Sequence, residues 1–250
     1  MSDWQTISSG LHRLADAGTP LGLWWRDDDA AAPTPELDRL QALAARYDMA
    51  IHLAVIPAHA TPTLREALAP SVIPVVHGFA HQSHAAAGEK NTEFSDDRGK
   101  DAICADLQLA VTLMADLQVN YAPVFVPPWN RIGPYATALL PDFGFRYLST
   151  YNARSAVWAT SGVEQVNTHV DPIEWRGSRS LVPQDRLLAR ISFSLAARLD
   201  GIQDPTEPFG LLTHHLIHDA AIRDFTDRFL EVFLTAPISL WTAARKREPG

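Results

Sequence analysis

The chain has 250 residues, of which 46% are hydrophobic and 20% charged, a balance that supplies a core and argues against disorder. A formal net charge of −8 at pH 7 argues against the basic face that nucleic-acid binding requires. The single cysteine, Cys104, excludes an internal disulfide and gives no sign of an oxidising compartment. The N-terminal stretch lacks a basic segment followed by an apolar one, and no run approaches the roughly 18 apolar residues of a membrane helix. The expectation is one domain over residues 1–250 of a cytoplasmic protein. Its partner is a small-molecule or oligosaccharide substrate, with neither nucleic acid nor membrane among its partners.

In chain order, residues 4–17 read as an amphipathic helix. The run 21–27, LGLWWRD, reads as a buried strand that ends abruptly in acids. Thr34-Pro35 opens a helix, with Thr34 as N-cap and Leu37, Leu40, Leu43 and Ala44 on one face. Further strands are expected at 49–57, 72–78, 122–129, 145–150, 163–170, 209–215 and 238–242. Helices are expected at 61–69, 100–118, 133–141, 183–199 and 219–234. Cys104 lies in the helix at 100–118 and reads as a structural thiol. The polar segment 84–99 is long enough to be a functional loop. Strand and helix alternate, and the strands are near-continuous apolar runs, as in a parallel sheet covered on both faces. Seven or eight such units predict a distorted (β/α) barrel of parallel strands.

Several of these strands stay apolar and then end in residues capable of chemistry. A parallel barrel gathers its strand C-termini on one face, which carries the active site. The first strand ends in Asp27-Asp28-Asp29, three carboxylates that raise one another's pKa unless a cation lies among them. The third ends in His77, with His81 four residues on, a spacing that lets two imidazoles reach one ion. With one of the aspartates they form a two-histidine, one-carboxylate set that suits zinc, and also cobalt, nickel, manganese or iron. The strand 209–215 ends in His214-His215, and His214 is a candidate general acid because imidazole titrates near neutrality. Asp171 is placed to orient it, as a carboxylate orients the histidine of a triad.

In this order the residues resemble the polysaccharide deacetylases, carbohydrate esterase family 4, over about residues 21–216. Arg26-Asp27-Asp28-Asp29-Ala30 is similar to the family's Thr-Phe-Asp-Asp-Gly. His77-Gly78-Phe79-Ala80-His81 is similar to His-Ser/Thr-x-x-His. Val126-Pro127-Pro128-Trp129-Asn130 is similar to Arg-Pro-Pro-Tyr-Gly. Asp171-Pro172-Ile173-Glu174-Trp175 and Leu212-Thr213-His214 match the fourth and fifth motifs. The resemblance implies metal-dependent removal of an acyl group, foremost N-acetyl, from a carbohydrate. Asp28 would be the base, Asp29, His77 and His81 the metal ligands, and His214 the acid. Trp129 and Trp175 would wall the acyl pocket, and a backbone N–H near Trp129 or Asn130 would face the oxyanion. Two registers fit the acidic run, Asp27/Asp28 and Asp28/Asp29; Ala30 in the small-residue position favours the second. Val126 stands where the family has an arginine, a place that Arg26 or Arg131 would have to fill. Gly78 replaces a hydroxyl residue.

Overall fold

The computed structural model describes residues 3–243. α1 (Trp4–Asp16) is capped by Asp3, whose carboxylate accepts from the Thr6 N–H, and buries Ile7, Leu11 and Leu14 at helical spacing. β1 (Gly22–Ala30) follows. α2 (Pro35–Arg46) starts as the sequence predicts, with the Thr34 hydroxyl accepting from Leu37 N–H at 3.0 Å and Pro35 in the first turn. Then come β2 (Ile51–Val55), the short α3 (Pro62–Ala67), β3 (Val72–His77) and α4 (Lys100–Asp116). β4 (Val124–Val126), α5 (Pro134–Leu139), β5 (Tyr147–Leu148), β6 (Trp158–Thr160) and β7 (Val163–Gln165) are short. α6 (Gln184–Leu199), β8 (Phe209–Thr213), α7 (Ala220–Leu234) and β9 (Ser239–Leu240) complete the described chain.

The sheet runs β6-β7-β5-β4-β3-β2-β1-β8, with β9 pairing to β1. Every pair is parallel except the β6–β7 hairpin. The chain after β7 bends across the opening. Thr168 bridges to Tyr151, and Val170 bridges to Leu211 of β8. The His169 N–H donates to Gly210 O at 2.7 Å, and the Leu212 N–H to Val170 O at 2.8 Å. These bonds join the two sides of the curled sheet and give the distorted (β/α) barrel that the alternation predicts.

Three expectations are corrected here. The first strand does not stop at Asp27 but continues through the acidic run to Ala30, with a register shift between Asp27 and Ala30. The strand expected over 122–129 shrinks to Val124–Val126, because Pro127-Pro128 cannot supply ladder N–H groups and the chain turns there. The strand expected over 163–170 splits into β7 and the two bridges, and its antiparallel partner β6 was not foreseen.

Side chains along β1 alternate between faces. Trp25 packs in the large core between sheet and helices. Trp24, by contrast, points into the barrel, edge-on to His52 and Trp241 at 5.2 and 5.3 Å between ring centres. Gly210 leaves room for it: a Cβ there would lie 2.5 Å from the Trp24 Nε1. Small residues, among them Ala54, Val75, Ala122 and Val124, with Tyr147 and Trp241, fill the rest of this interior. His52 ties it to the segment after β9, because its Nε2 accepts from the Ala243 N–H at 3.0 Å and its Nδ1 lies 3.1 Å from Trp25 O.

Candidate metal centre and active site

The C-terminal ends of β1 and β3 bring Asp29, His77 and His81 together. Asp29 Oδ1 lies 3.1 Å from His77 Nε2 and 3.3 Å from His81 Nε2. One ligand atom of each lies within 4.8 Å of those of the other two. The donor set is two nitrogens and a carboxylate, only partly screened from solvent, which suits a divalent ion. His77 is oriented for it: its Nδ1 lies 3.0 Å from Val126 O, which fixes the tautomer and leaves Nε2 facing Asp29.

In the absence of an ion the histidines act as the charge partners of Asp29. Burial pushes the Asp29 carboxyl up, but the hydrogen bond and charge of His77, with His214 and His81, outweigh it and hold Asp29 well below the usual carboxylate range. Burial likewise lowers His77, yet Asp29 and the charge of Asp28 raise it overall. His81 is lowered by burial and by the neighbouring His77.

Strand alternation alone would put Asp29 on the same side as Asp27. The left-handed backbone at Asp29, φ 73°, turns it towards the histidines instead. Asp27 is fully buried on the opposite face. It accepts from the Thr213 hydroxyl at 2.6 Å and the His215 N–H at 3.0 Å, and meets His215 Nδ1 at 2.5 Å. That pair ties β1 to the turn after β8, so Asp27 has no free oxygen for the cluster. The geometry therefore groups Asp29, and not Asp27, with the histidines.

Asp28, 2% exposed, points into the barrel mouth. Arg26, two residues earlier on the same face, meets both its oxygens, Nε to Oδ1 at 2.9 Å and Nη2 to Oδ2 at 3.0 Å. The guanidinium is held in turn by the Ser149 hydroxyl at 2.7 Å and by the Asn130 side-chain oxygen at 2.7 Å. Of Arg26 and Arg131, Arg26 is therefore the one that pairs with Asp28. Arg131 does not: its Nη1 donates to Asn91 O at 2.9 Å, towards the 84–99 segment. The Asn130 side chain is engaged with Arg26, and its N–H donates to Pro127 O at 2.9 Å.

His214, at the end of β8, stands across from Asp28, Nε2 to Oδ2 at 3.9 Å. The edge of Trp175 packs on it at 4.6 Å. Asp171 does not pair with His214 as expected. Its carboxylate accepts from the Ile173 N–H at 2.9 Å and from Trp175 Nε1 at 2.7 Å, so it positions the indole that touches the imidazole. Among the described residues the buried His214 Nδ1 has no hydrogen-bond partner. Burial raises the Asp171 carboxyl against the pull of His214. Trp129 packs on His81 at 4.4 Å, and both Trp129 and Asn130 have left-handed backbones, φ 54° and 56°.

Two neighbours were invisible to the sequence reading. Glu93, inside the polar segment 84–99, is fully buried and accepts from the Phe79 and Ala80 N–H groups at 3.0 and 2.8 Å. The other is the Glu207–Arg198 pair around His169. The Gly210 N–H donates to His169 Nδ1 at 3.1 Å, and His169 Nε2 lies 3.3 Å from Glu207 and 3.1 Å from Arg198. Burial lowers His169, and it closes the barrel seam rather than facing the cluster.

No family model matches the chain, and no curated protein does either. Solved structures do. A family 4 carbohydrate esterase from Streptomyces lividans, in complex with acetate, superposes with a TM-score of 0.57 at 12% identity, covering 92% of this chain and 98% of its own. The T48 deacetylase with substrate gives 0.54 at 14% identity, covering 91% of each chain. The Bc1960 peptidoglycan N-acetylglucosamine deacetylase gives 0.55 at 13%, covering 88% of this chain and 85% of its own. The chain therefore has the distorted (β/α) barrel fold of the polysaccharide deacetylases and family 4 carbohydrate esterases.

Proposed function

We propose that the chain is a divergent polysaccharide deacetylase, a metal-dependent hydrolase that removes an N-acetyl group from an amino sugar. One observation carries this reading: Asp29, His77 and His81 converge beside an arginine-held Asp28, with His214 across from it. Asp29, His77 and His81 would hold the ion, zinc by the donor set. A divalent ion held there supplies a Lewis acid and lowers the pKa of a water molecule.

The chain's own groups do the rest. Asp28 takes the proton of the attacking water, and Arg26 fixes the direction of its oxygens. As the carbonyl carbon becomes tetrahedral, the Trp129 N–H is the nearby backbone donor for its oxygen, since the Asn130 N–H already serves Pro127. His214 gives a proton to the departing amine, with Trp175 holding the imidazole edge-on. Trp175, 39% exposed, and Trp129 wall the acyl group.

The shape beside the site favours a saccharide over a small linear or cyclic amide. Two open cavities of about 610 and 620 Å³ share Ile132 and Thr150. The nearer is lined by Asn130 and Arg131, the farther by Tyr151, Gln165 and Trp158, an indole 60% exposed. Hydroxyls and amides beside an exposed indole, with Asp96, Arg131 and Arg154 also in the walls, suit sugar hydroxyls and ring faces. A catalytically silent barrel would be favoured by the absence of an arginine beside the base, and the pairing of Arg26 with Asp28 supports catalysis instead.

The test is acetate release from a panel of N-acetylated amino sugars and their oligomers, beside simple and cyclic amides. Zinc-loaded wild type should turn over the sugars. Asp28→Asn should lose about 10²- to 10⁴-fold in kcat while still binding metal. Turnover confined to non-sugar amides would replace the substrate; none on any of them would leave a binding barrel.

A further inference from the structure

The His77–His81 turn contains an arrangement that metal ligation alone does not explain. Gly78 has φ 58°, and a Cβ on it would lie 2.1 Å from Glu93 Oε2 and 2.5 Å from Pro128 Cδ. The carboxylate therefore sits where any other side chain would have to go. It accepts from three successive parts of the turn: Phe79 N–H at 3.0 Å, Ala80 N–H at 2.8 Å and Gln82 N–H at 3.4 Å. Between the last two donors lies His81, itself left-handed at φ 53°. Such a conformation for a bulky residue persists only where its surroundings over-determine it.

Glu93 is anchored rather than mobile. Its own carbonyl accepts from Arg98 at 3.0 Å, and Arg98 reaches on to Asp106 in α4 at 2.6 Å. The next residue, Phe94, is fully buried, stands edge-on to Phe125 at 5.2 Å and bridges to Ile132. The carboxylate is thus delivered to the turn by a strap fastened to the barrel on both sides. A fully buried carboxylate is costly unless several donors satisfy it, and here the donors all belong to the segment that carries His81.

We infer that Glu93 is the positioning residue that sets His81 as a metal ligand, by clamping the 78–82 turn through its backbone N–H groups in the space that Gly78 leaves open. The inference rests on the metal reading of Asp29, His77 and His81. It assigns part of the 84–99 segment to building the metal centre.

The experiment measures zinc affinity calorimetrically in the full chain for wild type, Glu93→Gln, Glu93→Ala, His81→Ala and the Glu93→Ala/His81→Ala double variant. Amide exchange of Phe79, Ala80 and Gln82 is followed in the metal-free proteins. Glu93→Ala should weaken zinc binding about 10- to 100-fold. Glu93→Gln, which keeps one acceptor but sets an NH2 against a backbone N–H, should fall between. In the His81→Ala background the same change should cost almost nothing further, because its effect passes through His81. The three amides should exchange faster once the carboxylate is gone. An unchanged affinity in folded Glu93→Ala overturns the inference, as does an equal loss with and without His81. If Glu93→Ala does not fold, the same comparison is made with Glu93→Gln. Absence of zinc binding in wild type defeats the metal reading itself, and the exchange rates then decide separately whether Glu93 clamps the turn.

Discussion

The two ends of the barrel are built in opposite ways. At the N-terminal end of β1, Trp24, His52, Tyr147 and Trp241 interlock edge to face, with small residues between them. Backbone hydrogen bonds there follow the regular parallel ladder, Leu23 opposite Phe209 and Trp24 opposite Gly210. At the C-terminal end the same strand breaks register, and Asp29, His81, Trp129 and Asn130 all take positive φ. Charged groups there are held by other polar groups, Asp28 by Arg26 and Arg26 by Ser149 and Asn130. One end supplies stability through packing, and the other holds a strained polar constellation in place. Substitutions at the two ends should therefore separate stability from ligand binding.

The largest separation is expected for His77→Ala. It should abolish stoichiometric zinc binding while leaving the far-UV dichroism of the fold intact; a variant that unfolds would mean the histidine is a structural post. Trp24→Ala should do the reverse. It removes a fully packed indole and the Nε1 bond to Asn167 O at 3.1 Å, and should cost about 3–5 kcal/mol in urea unfolding with zinc affinity unchanged. Breaking the buried Arg26–Asp28 pair with Arg26→Met should affect both ends, costing about 3–5 kcal/mol because an unpaired buried carboxylate remains. Its kcat should fall as Asp28 loses its orientation, and a purely catalytic loss would contradict the pairing.

The smallest effect is in pH. His77 is raised above its ordinary 6.5, so without metal its pairing with Asp29 stabilises the fold fully below that value and fades as pH rises through the raised pKa. Asp29 is lowered, so its share is present above the ordinary 3.8 and fades only in strong acid. Metal-free stability should accordingly decline on the alkaline side, above the ordinary histidine value. Zinc binding has the opposite sign, since the proton on His77 must leave first, so affinity should rise over the same interval. A His77→Ala protein should lose part of the stability slope, with His215, raised by Asp27, supplying the rest; an unchanged slope would assign it elsewhere.

The sequence made the barrel and the meeting of strand ends legible, because apolar runs that end in polar residues are what a covered parallel sheet requires. Arg26 was legible in principle: it lies two residues before Asp28 on one strand, hence on the same face. The sorting of Asp27, Asp28 and Asp29 was hinted at only by Ala30 in the small-residue position, since it depends on a left-handed residue that breaks the alternation. The β6–β7 hairpin carried a usable signal in Ser161-Gly162, two residues between short β-prone runs. Nothing local marked Glu93. Its partners are backbone groups 11 to 14 residues earlier, and only Gly78 in place of a bulkier residue hinted that something occupied that space. The expected Asp171–His214 pair failed because the last residue of Asp171's own motif, Trp175, takes the carboxylate.

The most direct test of the central claim is zinc stoichiometry in wild type and Asp29→Ala, measured by titration calorimetry on folded protein. The account predicts one zinc per chain in wild type and none held by Asp29→Ala, with the fold of both unchanged. Equal zinc binding by the two proteins, or none by wild type, would contradict it.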